Sequence, residues 1–234
     1  MLNNYKNKDK LIENVFNSVF DKYDLMNDLM SFGIHRLWKK DLISWLSPQK
    51  NTSLIDVASG TGDIANLYLK ETSFKGKAFC LDNNLNMLRI GKKKLGNIKN
   101  ISWFNATAEK LPFQKNFFDY YTISFGIRNV RNIDKALKEA YRVLKPGGRF
   151  ICLEFSKIEN EPLNKLYKYY SKIIPKIGKI IIGKSKPYEY LINSIKDFYP
   201  QEQFLEKIKK YNFKKTKYRN LSGGIASIHS GWKI

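Results

Sequence analysis

Apolar positions recur along this chain with two periods, and the alternation between them predicts the fold. Leu11, Ile12, Val15, Phe16, Val19 and Phe20 share one helical face and predict a cap helix. A second helix ends near Leu46. From there, short apolar runs of strand length alternate with amphipathic stretches. Strands are expected near 53–57, 77–81, 101–104, 118–123 and 149–155. Helices are expected near 63–71, 84–95 and 133–144. Alternation with short connections predicts a mostly parallel sheet covered by helices on both faces. The aromatic stripe at 117–121 reads as core. Lys145-Pro-Gly-Gly148 is a sharp break from helix to strand, because Pro cannot continue the helix and Gly permits the turn. A helical insert follows at about 161–196, where Pro175 and Gly178 predict two short pieces rather than one continuous helix. The chain closes with a helix at 201–211 and strand-like runs at 214–221 and 225–232. Ser222-Gly-Gly224 joins these runs as a hairpin, so an antiparallel pair should complete a seven-stranded sheet. No linker divides the chain. The expectation is one α/β domain over 1–234, with a helical cap at 1–50 and a helical insert or lid at 157–200.

Composition narrows the setting. The chain has 234 residues and 43% hydrophobic content, enough for a sizeable core. No apolar run approaches the ~20 residues that span a bilayer. The first ten residues lack the apolar centre of a secretory signal. Cys80 and Cys152 fall in expected buried strands, where isolated thiols suit a reducing compartment. A cytoplasmic protein is therefore expected. His35 and His229 are too few and too far apart to suggest a metal site, so no metal is expected; His35 reads as a structural hydrogen-bond partner in the cap. The net charge of +21 is large, but the lysines are spread along the whole chain. A nucleic-acid binder would need a clustered basic face with stacking aromatics, so no nucleic acid is expected as partner.

The chemistry concentrates in Asp56-Val-Ala-Ser-Gly-Thr-Gly-Asp63, between an expected strand and an expected helix. A glycine turn there lets backbone approach a ligand closely. The next strand, Lys77-Ala-Phe-Cys-Leu81, ends in Asp82, where a carboxylate can accept hydrogen bonds from both hydroxyls of a ribose. The turn lacks the third glycine of a dinucleotide fingerprint, and no phosphate loop is present. Asp63 would also repel a phosphate. An adenosine-containing cofactor that is cationic and carries no phosphate fits, which points to S-adenosylmethionine.

With these residues in place, a family resemblance emerges. The glycine turn, Asp82, Ala106-Thr-Ala-Glu-Lys-Leu-Pro-Phe113, Phe118-Asp-Tyr-Tyr-Thr-Ile-Ser124 and Arg142-Val-Leu-Lys-Pro-Gly-Gly148 resemble a class I S-adenosylmethionine-dependent methyltransferase with a Rossmann-like fold. Tyr23-Asp-Leu-Met-Asn-Asp-Leu-Met-Ser-Phe-Gly-Ile-His-Arg-Leu-Trp38 and the stretch from Arg142 through Ser156 resemble the two signatures of the ubiquinone and menaquinone biosynthesis C-methyltransferases. Ile123-Ser-Phe-Gly-Ile-Arg-Asn-Val130 and Asn220 through Ile234 are similar as well. The resemblance implies C-methylation of a polyprenyl benzoquinol, of demethylmenaquinol, or of both. It implies cofactor contacts at Gly60, Thr61, Gly62, Asp82, Thr107, Ala108 and Ser124. It places catalytic residues at Arg128, Asn129 and Tyr23. A methyltransferase for another small molecule is the alternative that shares the core but not the Tyr23–Trp38 segment.

The reaction class defines what those residues must do. A ring carbon becomes a strong nucleophile when a ring hydroxyl loses its proton, so the site needs a proton route and donors for the phenolate. Arg128 and Asn129 follow the fourth strand, at the sheet edge where ligands bind. Arg128 reads as a phenolate stabiliser, as a proton handler through a water that Asn129 orients, or as a salt bridge that ties down a loop. Tyr23, in the family-specific segment, is expected to hydrogen-bond the ring oxygens, and Glu154 reads as a helix-capping or loop-holding carboxylate. A polyprenyl tail resides in a membrane, and the insert from Leu163 to Gly183 mixes lysines with apolar and aromatic residues as interfacial segments do. The expected partners are thus a polyprenyl quinol and a membrane surface or a quinone-biosynthesis complex. Peripheral attachment at the inner membrane face and a homodimer both fit the sequence.

Overall fold

The computed structural model describes residues 28, 31, 33–182 and 186–234. The cap helix expected over 11–20 lies outside the described residues. Helix α1 (His35–Leu46) leads into β1 (Ser53–Val57), α2 (Asp63–Glu71), β2 (Lys77–Asp82), α3 (Leu85–Leu95), β3 (Ile101–Asn105) and β4 (Phe118–Ser124). A 3-10 turn at Ile127–Asn129 precedes α4 (Ile133–Val143) and β5 (Leu144–Phe155). Then come α5 (Glu161–Ile182), α6 (Lys186–Asp197), α7 (Gln201–Lys210), β6 (Lys214–Leu221) and β7 (Ala226–Trp232).

The strands form one sheet in the order β3-β2-β1-β4-β5-β7-β6. Strands β1 to β5 pair in parallel, and β7 runs antiparallel to both β5 and β6. The chain builds outward from β1 to β3 and then crosses back to β4 on the other side. This switch point opens a crevice at the carboxyl ends of β1 and β4, the place where open α/β sheets hold ligands.

The apolar runs are continuous in the central strands because helices cover both faces. Leu54 and Ile55 on β1 are fully buried, and they face opposite layers. Leu54 joins Ile151, Leu153 and side chains of α1, α2 and α6. Ile55 joins Tyr121, Ile123 and side chains of α4 and α7. Asn84 and Asn132 start α3 and α4 by accepting backbone N–H bonds with their side chains. The outer strand β6 carries Lys214, Lys215 and Lys217. Solvated charge on an edge strand discourages pairing with another chain.

Several expectations are met closely. The five parallel strands and the closing hairpin fall where the periodicity put them, and Cys80 and Cys152 are buried in strands. His35 is 2% exposed, and its Nδ1 lies 3.0 Å from Ser31 Oγ. Three details differ. Strand β5 starts at Leu144, which already pairs with Phe118 before a bulge restores the register at Arg149. Phe117 is 41% exposed, so the aromatic stripe is core only from Phe118 onward. Helix α5 runs through Pro175 as one 22-residue helix rather than two pieces. An interior proline costs about 3 kcal/mol through a lost hydrogen bond and a clash. Packing against α6, with Ser171 buried and Tyr170 set on the core, offsets that cost.

Candidate active site

A cavity of about 830 Å³ opens at the carboxyl edge of the sheet. Gly60, Asp82, Met87, Thr107, Phe125 and Asn129 are among its walls. Beside it lies a second cavity of about 30 Å³, walled by Lys39, Asp56, Ser59, Thr61 and Ser124. Gly60 and Phe125 belong to both, so the two spaces adjoin.

The turn after β1 is fixed by backbone geometry. Ser59 N–H donates to Leu81 O at 3.1 Å and Gly62 N–H donates to Ser59 O at 2.9 Å. Gly62 has φ +85° and caps the N-terminus of α2. A Cβ there would sit 2.7 Å from the Trp103 ring, so only glycine lets α2 lie this close to the sheet. A Cβ on Gly126 would meet Ala58 Cβ at 2.4 Å, so the loops after β1 and β4 touch through a missing side chain. Ala58 and Phe125, at the ends of those two strands, both hold positive φ, 52° and 54°. Non-glycine residues in that region store strain, and such residues gather at binding sites.

Asp82 is 8% exposed, and backbone N–H groups bind both of its carboxylate oxygens. Its Oδ2 accepts from Gly60 N–H at 2.9 Å and its Oδ1 from Asn84 N–H at 2.8 Å. A carboxylate offers about four acceptor positions, so acceptor capacity remains for a ribose hydroxyl. Burial raises its pKa above the ordinary carboxylate value, opposed by these backbone bonds.

The small cavity is lined by unsatisfied oxygens. Asp56 Oδ2, Ser59 Oγ and Ser124 Oγ are buried with no hydrogen-bond partner among the described residues. Buried polar atoms without partners are rare and costly. Asp56 Oδ1 accepts from Thr122 Oγ1 at 2.8 Å. Burial pushes the Asp56 carboxyl up to about 7, against the pull of that hydrogen bond and of the Lys39 charge. Three acceptors around a space of this size suit an ammonium group, and Lys39 supplies a cation for a carboxylate. An α-amino acid end fits that chemistry. The donor set therefore suits S-adenosylmethionine, with its ribose at Asp82 and its amino-acid end in the small cavity.

Asp63 corrects one step of the sequence argument. Its carboxylate binds Lys39 Nζ at 2.7 Å and Lys94 Nζ at 2.9 Å. Burial pushes its pKa up, but the two lysines outweigh that and hold it below the usual carboxylate range. With its charge matched twice, Asp63 is not what turns phosphate away. Asp56 and Asp63 line the small cavity, and Asp82 and Glu109 line the large one.

On the other side of the cleft, Arg128 is buried in the 3-10 turn. Its Nη1 donates to Glu154 Oε1 and, at 2.8 Å, to Phe125 O. Its backbone N–H donates to Glu154 Oε2 at 3.4 Å. Burial raises the Glu154 pKa and the Arg128 charge opposes this. The pair thus ties the loop after β4 to the end of β5. Asn129 faces the cleft, and its Oδ1 accepts from Tyr190 Oη on α6 at 2.8 Å.

Comparison with known proteins decides the family. The model of the ubiE/COQ5 methyltransferase family matches residues 4–233. The chain belongs to the ubiE/COQ5 methyltransferase family. A relative from Rickettsia bellii (strain OSU 85-389), named ubiquinone/menaquinone biosynthesis C-methyltransferase UbiE, is 53% identical over 97% of this chain and 94% of its own length. The protein of the same name from Brucella abortus (strain S19) is 51% identical over 97% of this chain and 87% of its own. Among solved structures, a Thermotoga maritima S-adenosylmethionine-dependent methyltransferase, described as a possible histamine N-methyltransferase, superposes with TM-score 0.67 at 20% identity. It covers 95% of this chain and 99% of its own. That likeness concerns the fold.

In this ubiE/COQ5 chain the cleft gathers Gly60, Asp82, Thr107, Ala108 and Asn129 from the residues singled out in the sequence. Thr61 and Ser124 line the adjoining cavity. Gly62 and Arg128 line neither and support the walls instead. Tyr23 lies outside the described residues. Sequence reading passed over Asp56, Lys39 and Tyr190. Asp56 carried a local signal, since a carboxylate in the middle of an apolar strand requires a reason.

Proposed function

We propose that this protein transfers a methyl group from S-adenosylmethionine to a ring carbon of a polyprenylated hydroquinone, of the 2-methoxy-6-polyprenyl-1,4-benzoquinol or demethylmenaquinol type. Membership of the ubiE/COQ5 family over nearly the whole chain carries this reading. S-adenosylmethionine supplies an electrophilic methyl group on a cationic sulfur. Asp82 holds its ribose, Thr107 and Ala108 border the base, and Gly60, Thr61 and Gly62 shape the turn around it. Asp56, Ser59 and Ser124 take its ammonium group, and Lys39 its carboxylate. What the chain adds to the chemistry is position, exclusion of water and charge management. Asn129 presents an amide donor to the acceptor's ring oxygen as that oxygen loses its proton. Arg128 spends its donors on the buried Glu154 and on Phe125 O. It serves the acceptor side through the loop that it locks. Tyr23 completes the set as a contact to the ring oxygens. The test is a quinone profile by mass spectrometry of cells lacking the protein. Accumulation of quinones lacking one methyl group supports the assignment, and an unchanged profile rejects it.

The tail of such an acceptor needs a membrane. No helix among the described residues is long and apolar enough to cross one. Leu166 and Tyr169 are 65% and 67% exposed, three residues apart on α5, beside exposed Lys165. An apolar pair on a basic helix suits a peripheral site on anionic lipid at the inner face of the membrane. Replacing both residues by serine should reduce sedimentation with anionic vesicles while sparing turnover of a short-tailed acceptor. Equal losses in both assays would make α5 a structural lid.

A further inference from the structure

The hydrogen bond between Tyr190 and Asn129 joins the helical insert to the reaction site. Helix α6 packs against the 3-10 turn that carries Asn129. Around Asn129 the backbone is already pinned: its N–H donates to Gly126 O at 3.0 Å, and the preceding residue is held by the buried Arg128–Glu154 pair. What remains free is the side-chain amide, which presents an acceptor at one end and donors at the other. Tyr190 Oη donates to the oxygen end at 2.8 Å. The Nδ2 donors are then the end left for the cleft. The charged groups that act on this phenol are Arg128 and Glu154. Burial raises its pKa, so the hydroxyl keeps its proton and remains a donor.

We infer that Tyr190 is a positioning residue for methyl transfer: its hydroxyl fixes the Asn129 amide so that Nδ2 donates to the acceptor's ring oxygen. The inference rests on the quinol-methylation reading given above. A flipped amide would turn its oxygen toward the phenolate, placing two acceptors face to face. Helix α6 is thereby part of the catalytic apparatus as well as a cover, and a shift of the insert would alter turnover without touching the cofactor.

The experiment is steady-state kinetics of Tyr190→Phe, Asn129→Ala and the double variant, with S-adenosylmethionine and a short-tailed demethylated quinol. Tyr190→Phe should lower kcat about ten- to a hundredfold, the scale of a misplaced catalytic group. Its Kd for S-adenosylmethionine should stay at the wild-type value. The pH at which kcat rises should move upward, because the phenolate loses an oriented donor. The double variant should be no slower than Asn129→Ala alone, since the two residues act in series. Wild-type kcat in Tyr190→Phe, or losses that multiply in the double variant, would overturn the inference. Wild-type protein that methylates no quinol in the same assay removes the underlying reading, and the inference with it.

Discussion

The two walls of the cleft are built by different means. The wall proposed for the cofactor comes mostly from one strand–turn–helix unit and the carboxylate at the next strand end, with Lys39 and Ser124 joining from α1 and β4. Its hydrogen bonds are largely backbone ones, such as Gly60 N–H to Asp82. The wall proposed for the acceptor draws on pieces further apart. Arg128 and Glu154 are 26 residues apart, and Asn129 and Tyr190 are 61 apart. Strain marks the seam, at Ala58 and Phe125. One donor molecule needs one fixed cradle, whereas the acceptor has to be matched by a network that can be re-cut around the same cradle. A common core can then serve methyltransferases of different substrates, as the low-identity likeness of fold illustrates.

The largest effect that can break this contrast is on the acceptor wall. Arg128→Ala leaves Glu154, which is fully buried, without its partner. Removing one member of a buried ion pair costs about 3–5 kcal/mol. Denaturant unfolding should show that loss, and Arg128→Ala combined with Glu154→Leu should recover most of it. A single variant with wild-type stability would mean that the pair does not hold the loop.

The next effect belongs to the cofactor wall. Asp82→Ala should weaken S-adenosylmethionine binding by about 1.5–3 kcal/mol, ten- to a hundredfold. Titration calorimetry on the folded variant measures it directly. Unchanged affinity would move the ribose away from Asp82.

The smallest effect on cofactor affinity comes from a proton linkage at Asp56, whose carboxyl is raised to about 7 from an ordinary 3.8. The folded state binds the proton more tightly than the unfolded one. Stability contributed by the protonated form is therefore present at low pH and lost as pH rises from about 4 to about 7. Asp56→Asn should raise the melting temperature at pH 8 and change it little at pH 4. The same variant should flatten the pH dependence of cofactor affinity. In the wild type, affinity should rise several-fold between pH 5.5 and 7.5, as the carboxylate forms opposite an ammonium group. A wild-type protein with pH-independent affinity over that range would show that Asp56 does not face the amino-acid end.

This division also explains what could be read from the chain. Asp82 and the turn at 60–62 could be placed from sequence because each follows a strand that announced itself by a continuous apolar run. Lys39 to Asp63 and Tyr190 to Asn129 depend on how helices dock on the sheet, which no local pattern encodes. Arg128 was visible as a residue at the right sheet edge, but its partner Glu154 comes from the neighbouring strand. Choosing among the readings offered for it required the register of β4 against β5. Pro175 misled because a local rule was outweighed by tertiary packing.

The central claim is that both walls enclose one reaction, methyl transfer to a ring carbon. Its most direct test is to incubate the purified protein with S-adenosylmethionine carrying a deuterated methyl group and a short-tailed demethylated quinol. The product is then analysed by mass spectrometry and carbon NMR. The account predicts a single intact CD3 group on a ring carbon. No transfer, or a CD3 group on a ring oxygen, would contradict it.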